Sequence, residues 1–251
     1  MAQQLFQRSN TFYVPFTPTV SPAANAAYPI TNVAGRDYPY LPWISTSTAQ
    51  QVIMLDMLGP VTVSNIAIFH ANFLTVSVAH ASSTGGTFTN LGTFTLAPYL
   101  PEVLPLARGM IVAAFTNRVI RLTIPAQAIT TAASGFTLGM VEILSPTQIV
   151  TFSDNPETFA NITIDAPTFT QRIGGHTESV KAGPRSVGFE LGGKWENLVD
   201  IKAMLATRPD SFILYRNRNI ISEVFFVRCE SGRWSEGFPT SDGNVTLSEI
   251  K

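Results

Sequence analysis

Short stretches of alternating apolar and polar residues, separated by glycine and proline turns, constrain the fold of this chain more than any other feature. In its first half these stretches are rich in β-branched and aromatic residues, and they occupy residues 51–56, 61–69, 75–79, 87–89, 93–96, 118–124 and 136–143. Alternation of this kind is typical of half-buried strands, and short strands at regular spacing favour a sandwich or a barrel. The sequence therefore predicts an all-β first half.

The composition changes after Ser145 and Pro146, which indicates a domain boundary. Further strands are predicted at residues 147–152, 159–164, 179–181, 186–191, 211–215, 222–229 and 243–250. Residues 194–205 have apolar positions at helical spacing, and Pro209 ends this pattern. We therefore expect a mainly β chain with one helix, in which residues 147–251 form a small β-sandwich or barrel flanked by that helix.

Residues 1–36 are predicted to be an extended arm, because prolines recur there and block helices and interior strands. The aromatic residues of such an arm need a surface, which is either its own domain or a neighbouring subunit. The candidates for a subunit contact are Phe12, Tyr13, Phe16 and Tyr28. The expected domains are then this arm, residues 37–146 and residues 147–251. The first residues lack the basic and apolar regions of a signal peptide, and no apolar run is long enough to span a membrane.

Charged residues make up only 13% of the chain, and the first half has few of them. Residues 1–146 contain no lysine, and their charged residues are Arg8, Arg36, Arg108, Arg118, Arg121, Asp37, Asp56, Glu102 and Glu142. Either a surface rich in Ser, Thr and Asn keeps this half soluble, or partner subunits cover it; the second interpretation is favoured. The net charge of −1 gives no electrostatic footprint for nucleic acid.

Candidate catalytic and cofactor motifs are incomplete. Residues 188–194 spell G-x-x-x-x-G-K, but Trp195 stands where a phosphate loop needs Ser or Thr. His70 and His80 each end a predicted strand, and a metal site there lacks a third ligand nearby in sequence. The strand carboxylates Asp56 and Glu142 favour structural roles, and no G-x-S-x-G occurs. We expect no enzyme activity, no cofactor and no metal.

The first half resembles the discoidin or coagulation-factor type C family. The resemblance rests on Trp43, a strand that ends in Asp56, and the segment 58–66, which nearly reproduces the family's DLG-x-x-x-x-I-x-x-I pattern. Residues 76–80 with 87–92, and 118–124 with 139–143, are similar to its later strands. The resemblance implies a galactose-binding-like jelly roll whose loops bind ligands at one end. The acidic loop that holds calcium in many members is absent.

An aromatic set of Tyr38, Tyr40 and Trp43 precedes the first strand of this domain. In the resembled fold such a set predicts stacking on a sugar ring. The alternative is that Trp43 fills the end of the barrel while the tyrosines pack on the arm.

The second half is similar in outline to phage tail-tube and distal-tail domains. This resemblance implies a structural virion protein of a tailed bacteriophage, at the tail tip or baseplate, assembled in the host cytoplasm. It would form a trimeric or hexameric ring and link the tail tube to tip or receptor-binding proteins. The alternative function is a carbohydrate-binding module that recognises host surface glycans. A secreted enzyme with an appended sugar-binding module is a third alternative.

Overall fold

The chain is built almost entirely from β-strands. The computed structural model describes residues 3–8, 14–22, 25–34, 41–98, 107–131, 133–146, 149–152, 159–165, 168–173, 176–181, 186–195, 211–218, 221–235 and 241–249. Its strands are β1 (Gln3–Arg8), β2 (Thr17–Ser21), β3 (Trp43–Ile44), β4 (Gln51–Ala71), β5 (Thr75–Ala81), β6 (Thr89–Thr95), β7 (Ala97–Pro98), β8 (Ala107–Ile124), β9 (Thr137–Leu138), β10 (Met140–Leu144), β11 (Ile149–Phe152), β12 (Phe159–Asp165), β13 (Thr168–Ile173), β14 (His176–Lys181), β15 (Ser186–Trp195), β16 (Ser211–Arg218), β17 (Ile221–Ser235) and β18 (Ser241–Glu249). Within these residues the one helical element is the 3-10 helix Ile30–Ala34. The predicted all-β class is confirmed.

The chain divides into two compact units, and each is described by itself. Residues 10–149 and 215–224 form the jelly-roll unit, and residues 1–9, 150–214 and 225–251 form the second unit. A seven-stranded sheet has the order β11-β1-β16-β17-β18-β15-β12, and most of its residues belong to the second unit, as does the hairpin of β13 and β14. Among the described residues no helix is long and apolar enough to cross a membrane.

The sheet of the jelly-roll unit is organised around two long antiparallel strands. Its order is β10-β4-β8-β5-β6, with β2 added to β4 and β7 added to β8. The first half of β4 pairs with the second half of β8, and the register shifts between Asp56 and Val61. Residues on both sides of this shift belong to one hydrophobic core cluster. A register shift of this kind is a bulge, and a bulge bends a strand. We call this place the corner of the sheet.

Alternation of buried and less buried residues places one face of the first half of β4 on the core. Ile53, Leu55 and Met57 are buried, and the residues between them are partly exposed. Farther along the chain the predicted half-buried pattern is wrong, because residues 65–69 and β10 are buried on both faces. Continuous apolar runs are typical of strands buried on both faces, and residues 66–69 form such a run.

The segment predicted as an arm contributes a strand to the jelly-roll unit. β2 pairs with β4 from Thr17 opposite Asp56 to Ser21 opposite Val52. Phe16 is only 7% exposed and belongs to the core cluster, so the predicted subunit contact is wrong for Phe16. Its ring packs on its own domain because the strand that follows it joins the sheet. Phe12 and Tyr13 lie outside the described residues.

The predicted helix at residues 194–205 is wrong at its start. Lys194 and Trp195 extend β15 and pair with Asp242 and Ser241 of β18. Gly192 and Gly193 are paired residues of the same strand. Ladder hydrogen bonds with β18 override the helical spacing of the side chains in this stretch. The rest of the predicted helix lies outside the described residues.

Candidate functional site

One end of the jelly-roll unit is closed by the buried side chain of Asn72. Its Nδ2 donates to Thr131 Oγ1 at 3.1 Å and to Gly135 O at 2.9 Å. Its Oδ1 accepts from Thr137 N at 2.7 Å. These bonds hold the segment that follows β8 against the end of β4, and they use both hydrogens of the buried Nδ2.

Gln127 closes the same end with a second set of hydrogen bonds. Its Oε1 accepts from the backbone nitrogens of Leu74 and Thr75 at 3.1 and 3.0 Å, and its Nε2 donates to Thr75 O at 2.8 Å. The Gln127 amide therefore pairs with the start of β5 much as a neighbouring strand does. At this end the polar groups of Asn72 and Gln127 are occupied by the chain itself.

Trp43 lies in the core beside this closed end. Its side chain is 0% exposed, and β3 pairs it with Leu138. Nearby, the Phe136 nitrogen donates to Ser45 Oγ at 2.8 Å, and a Cβ on Gly135 would lie 2.3 Å from Ser45 O. A ring without an exposed face cannot stack on a sugar, so the predicted glycan contact is wrong for Trp43. Tyr38 and Tyr40 lie outside the described residues.

The corner of the sheet carries a different arrangement, which we call the corner cluster: His80, Phe115 and Asn117. The imidazole of His80, near the end of β5, lies parallel to the ring of Phe115 on β8, with 4.3 Å between centroids and 3° between planes. Asn117 Nδ2 makes a short hydrogen bond with His80 Nδ1. All three side chains are half-buried. The cluster therefore combines an aromatic ring with two polar side chains, all of them partly exposed.

The hydrogen bond between Asn117 and His80 fixes which groups the corner cluster presents. Because the amide donates to Nδ1, the proton of the neutral imidazole is on Nε2. Within the described chain, neither His80 Nε2 nor Asn117 Oδ1 makes a further hydrogen bond. Burial lowers the pKa of His80 below its ordinary value of 6.5, which favours the neutral ring. The cluster thus offers one donor and one acceptor.

An ion pair secures the corner next to this cluster. Arg118 Nε and Nη2 each donate to Asp56 at 2.8 Å, and Asp56 Oδ1 also accepts from Leu58 N at 2.9 Å. The hydrogen bond from Arg118 is the main reason that the pKa of Asp56 lies below its ordinary value, and burial partly opposes it. The two charges compensate each other, so the corner presents little net charge.

Leu58 lies in the bulge that this ion pair holds. Its backbone has a φ of 64°, and its side chain is 67% exposed. Tyr28, another predicted contact residue, is 39% exposed on the turn before the 3-10 helix. Neither side chain belongs to the corner cluster.

Sequence reasoning missed Phe115 and Asn117. The predicted strand began at Arg118, whereas β8 begins at Ala107 and carries both residues. From the sequence, His80 was considered as a metal ligand, and its contacts with Phe115 and Asn117 were not predicted. His70 is at the far end of β4 from the corner, so the two histidines do not meet. The described part of the chain contains no group of three or more His, Cys, Asp or Glu that would hold a metal ion.

Comparison with known proteins finds similarity in structure only. No protein-family model matches the chain, and no curated protein matches it. Solved structures that resemble part of it include carbohydrate-binding modules. A chitosan-binding module from a chitosanase/glucanase of Paenibacillus sp. IK-5 has 16% identity and a TM-score of 0.43, over 53% of this chain and 97% of that one.

Two further structures have similar scores. A family 32 carbohydrate-binding module from C. perfringens NanJ, in complex with galactose, has 14% identity and a TM-score of 0.40, over 53% of this chain and 97% of that one. XRCC1, in a structure bound to the catalytic domain of DNA polymerase β, has 14% identity and a TM-score of 0.41, over 57% of this chain and 99% of that one. The descriptions of these two structures name different partners, galactose for the first and a DNA polymerase domain for the second.

Proposed function

We propose that the jelly-roll unit is a glycan-binding module and that the corner cluster is its binding site. The observation that carries the proposal is the meeting of an imidazole donor, an amide acceptor and an aromatic ring in one half-buried place. Sugar hydroxyls both donate and accept hydrogen bonds, and the apolar faces of sugar rings pack on aromatic side chains. The role assigned here is binding, without catalysis, cofactor or metal.

The surroundings of the corner cluster favour a neutral ligand. No Asp, Glu, Lys or Arg occurs between residues 57 and 101. The exposed turn that follows β5 carries the hydroxyls of Ser82, Ser83 and Thr84. Asp56 and Arg118 satisfy each other. A surface of hydroxyls and amides suits a neutral glycan, whose own groups are hydroxyls and amides, better than it suits a strongly charged partner.

A glycan array probed with the full-length chain tests this proposal. We expect binding to one group of neutral glycans and a loss of at least about tenfold in affinity for the Asn117→Ala variant, since the ligand loses its acceptor and His80 loses its orientation. Ser77→Ala is the control, because Ser77 lies on β5, the strand that carries His80, and its hydroxyl bonds Thr93 instead. An array without signal, or equal affinities for all three proteins, contradicts the proposal.

A second candidate function is a structural subunit of a phage tail tip or baseplate, located in the virion. The scarcity of charge in residues 1–146 favours it, because covering by partner subunits explains a surface that has so few charges. β6 also lies at an edge of the sheet formed by the described strands, and its Thr89, Asn90, Thr93 and Thr95 are exposed. An uncharged edge is a place where another chain adds a strand.

Light scattering separates the two candidates. A ring subunit is expected to show the mass of a trimer or a hexamer, and Thr93→Lys on the β6 edge is expected to lower that mass. Ser82→Lys adds the same charge at an exposed turn away from the edge strand and serves as the control. Deleting residues 1–30, which belong to the predicted arm, is a less suitable test of assembly than a substitution. The deletion removes β2 and the buried Phe16 and so disturbs the fold itself. A monomer at every concentration counts against ring formation.

A further inference from the structure

The neutral corner cluster has a defined hydrogen-bond polarity. Asn117 Nδ2 donates to His80 Nδ1, which leaves His80 Nε2–H as a donor and Asn117 Oδ1 as an acceptor. A sugar hydroxyl pair satisfies both, because one hydroxyl accepts from the ring while its neighbour donates to the amide oxygen. A carboxylate satisfies only one of them, since it has no proton to donate to Oδ1.

Protonation of His80 turns its Nδ1 from a hydrogen-bond acceptor into a donor. A proton taken from solvent binds Nδ1, so the imidazolium then donates at both nitrogens. The side-chain NH2 group of Asn117 is also a donor, so it cannot form a hydrogen bond with the protonated Nδ1 of His80. Rotation of the amide by half a turn brings Oδ1 onto Nδ1–H and directs Nδ2 toward the ligand. The cluster then presents two donors and one positive charge, which is the arrangement that a carboxylate binds.

Charged groups around His80 are few, so the ring itself sets the electrostatics of the cluster. His80 lies on β5, opposite Ile120 of β8 on one side and opposite Thr89 of β6 on the other. β6 has no titratable side chain. On β8, Arg118 is paired with Asp56 of β4, and the Arg121 guanidinium lies over the Phe88 ring, 4.2 Å from its centroid. The turn that joins β5 to β6 contains no charged residue. Burial lowers the pKa of His80 below its ordinary value of 6.5, so the ring is neutral at neutral pH and the change takes place at a pH below that value.

We propose that His80 and Asn117 form a proton-dependent selector, which binds neutral sugars when His80 is neutral and sugars bearing a carboxylate when His80 is protonated. This inference rests on the proposed glycan-binding function of the same cluster. Phe115 serves both states, because its ring is an uncharged surface in either one.

The hydrogen-bond reversal is tested first without any sugar, by NMR on the full-length chain labelled with 15N. At about pH 7.5 the imidazole of His80 is expected to carry its proton on Nε2. As the pH falls, the Asn117 side-chain amide signals are expected to shift with the same midpoint as the His80 ring. A proton on Nδ1 at the higher pH, or amide signals that do not follow the ring, overturns the inference whatever the protein binds.

The change of ligand class is tested by calorimetry with two matched pairs of probes, glucose with glucuronic acid and galactose with galacturonic acid. Between about pH 7.5 and about pH 5 the two neutral sugars are expected to lose about three- to tenfold in affinity, and the two acids to gain a similar factor. In Asn117→Ala, which has no amide to rotate, the affinity of the neutral sugars is expected to lose this pH dependence.

Three outcomes separate this inference from the proposed function. Neutral sugars that bind equally at both pH values overturn the selector and leave the glycan site in place. The same holds if Asn117→Ala keeps the pH dependence of the native chain. Failure of all four probes, together with a silent glycan array, overturns the proposed function and the selector with it.

Discussion

The imidazole of His80 and the ring of Phe115 lie face to face, 4.3 Å apart and within 3° of parallel. The two residues come from different strands and are 35 positions apart in the sequence. This stack fixes the plane of the imidazole, while the Asn117 amide fixes its rotation within that plane. The orientation of the candidate binding group therefore depends on two contacts that can be removed one at a time.

Phe115→Leu removes the stack and keeps an apolar side chain. We expect the free energy of unfolding to fall by about 1–2 kcal/mol, because aromatic stacking contributes about 0.5–1.5 kcal/mol beyond the area that the ring buries. The His80 ring signals are expected to lose their upfield ring-current shift. Urea unfolding and NMR of the native and variant chains provide the measurement.

Phe94→Leu is the matched control for this change. Phe94 is also half-buried and packs on the core, but it lies on β6 away from the stack. It is expected to cost similar stability without moving the His80 signals. If both variants shift His80 equally, the orientation of the ring does not depend on Phe115.

Asn72→Ala tests the closed end of the sandwich. The substitution leaves Gly135 O and Thr137 N in a buried place without the partners they have in the native chain. We expect a loss of about 2–4 kcal/mol in the free energy of unfolding, because each unsatisfied buried group costs about 1–3 kcal/mol. Asn25→Ala, at an exposed turn where Asn25 accepts from the Ala27 nitrogen, is expected to cost about 0.5 kcal/mol or less. Equal losses in the two variants contradict the structural role given to Asn72.

Local patterns in the sequence predicted most strands but not the way they combine. Residues 51–56 and 61–69 were predicted as two strands around a turn, because Gly59 and Pro60 usually interrupt pairing. In the structure they are one strand, β4, and the interruption is the bulge at its corner. A turn signal marks where the chain bends, and only the pairing with β8 decides whether the strand ends there.

The corner cluster was beyond sequence reasoning for a related reason. His80 and Asn117 meet because β5 and β8 are neighbours in the sheet, and a single sequence does not contain that pairing. Trp43 shows the opposite error, since an aromatic residue before the first strand suits a ligand platform and a core position equally well. Its complete burial decides between them.

Leu58→Gly tests whether the bulge at the corner is strained. A leucine at a φ of 64° is in the left-handed region, which costs an L-residue about 1–2 kcal/mol relative to glycine. The greater freedom of glycine in the unfolded chain offsets about 0.4–1 kcal/mol of this gain. We therefore expect Leu58→Gly to keep or raise the melting temperature although it removes an apolar side chain, and differential scanning calorimetry measures this.

Leu58→Val is the informative companion, because branching at Cβ makes the left-handed conformation still less favourable. We expect this variant to melt below the native chain. Leu58 is largely exposed, so neither change removes much packing. Similar melting temperatures for Leu58→Gly and Leu58→Val are incompatible with strain at this position.

Asp56→Asn tests the ion pair that secures the corner, through its dependence on pH. The folded-state pKa of Asp56 lies below its ordinary value of 3.8, chiefly because Arg118 donates to the carboxylate. A lowered pKa means that the stabilisation is complete above the unfolded value and is lost as the pH falls through the folded value. Native stability is therefore expected to decline from about pH 5 downward, and the decline is expected to be shallower in Asp56→Asn.

Urea unfolding between about pH 7 and about pH 2.5 measures the pH dependence of stability in both proteins. Arg118→Met is the second variant, and the double variant completes the cycle. The double variant is expected to have the same slope as Asp56→Asn, because an asparagine at position 56 has no carboxylate that takes up a proton as the pH falls. If the native chain and Asp56→Asn decline in parallel over this range, Asp56 does not contribute to stability through Arg118.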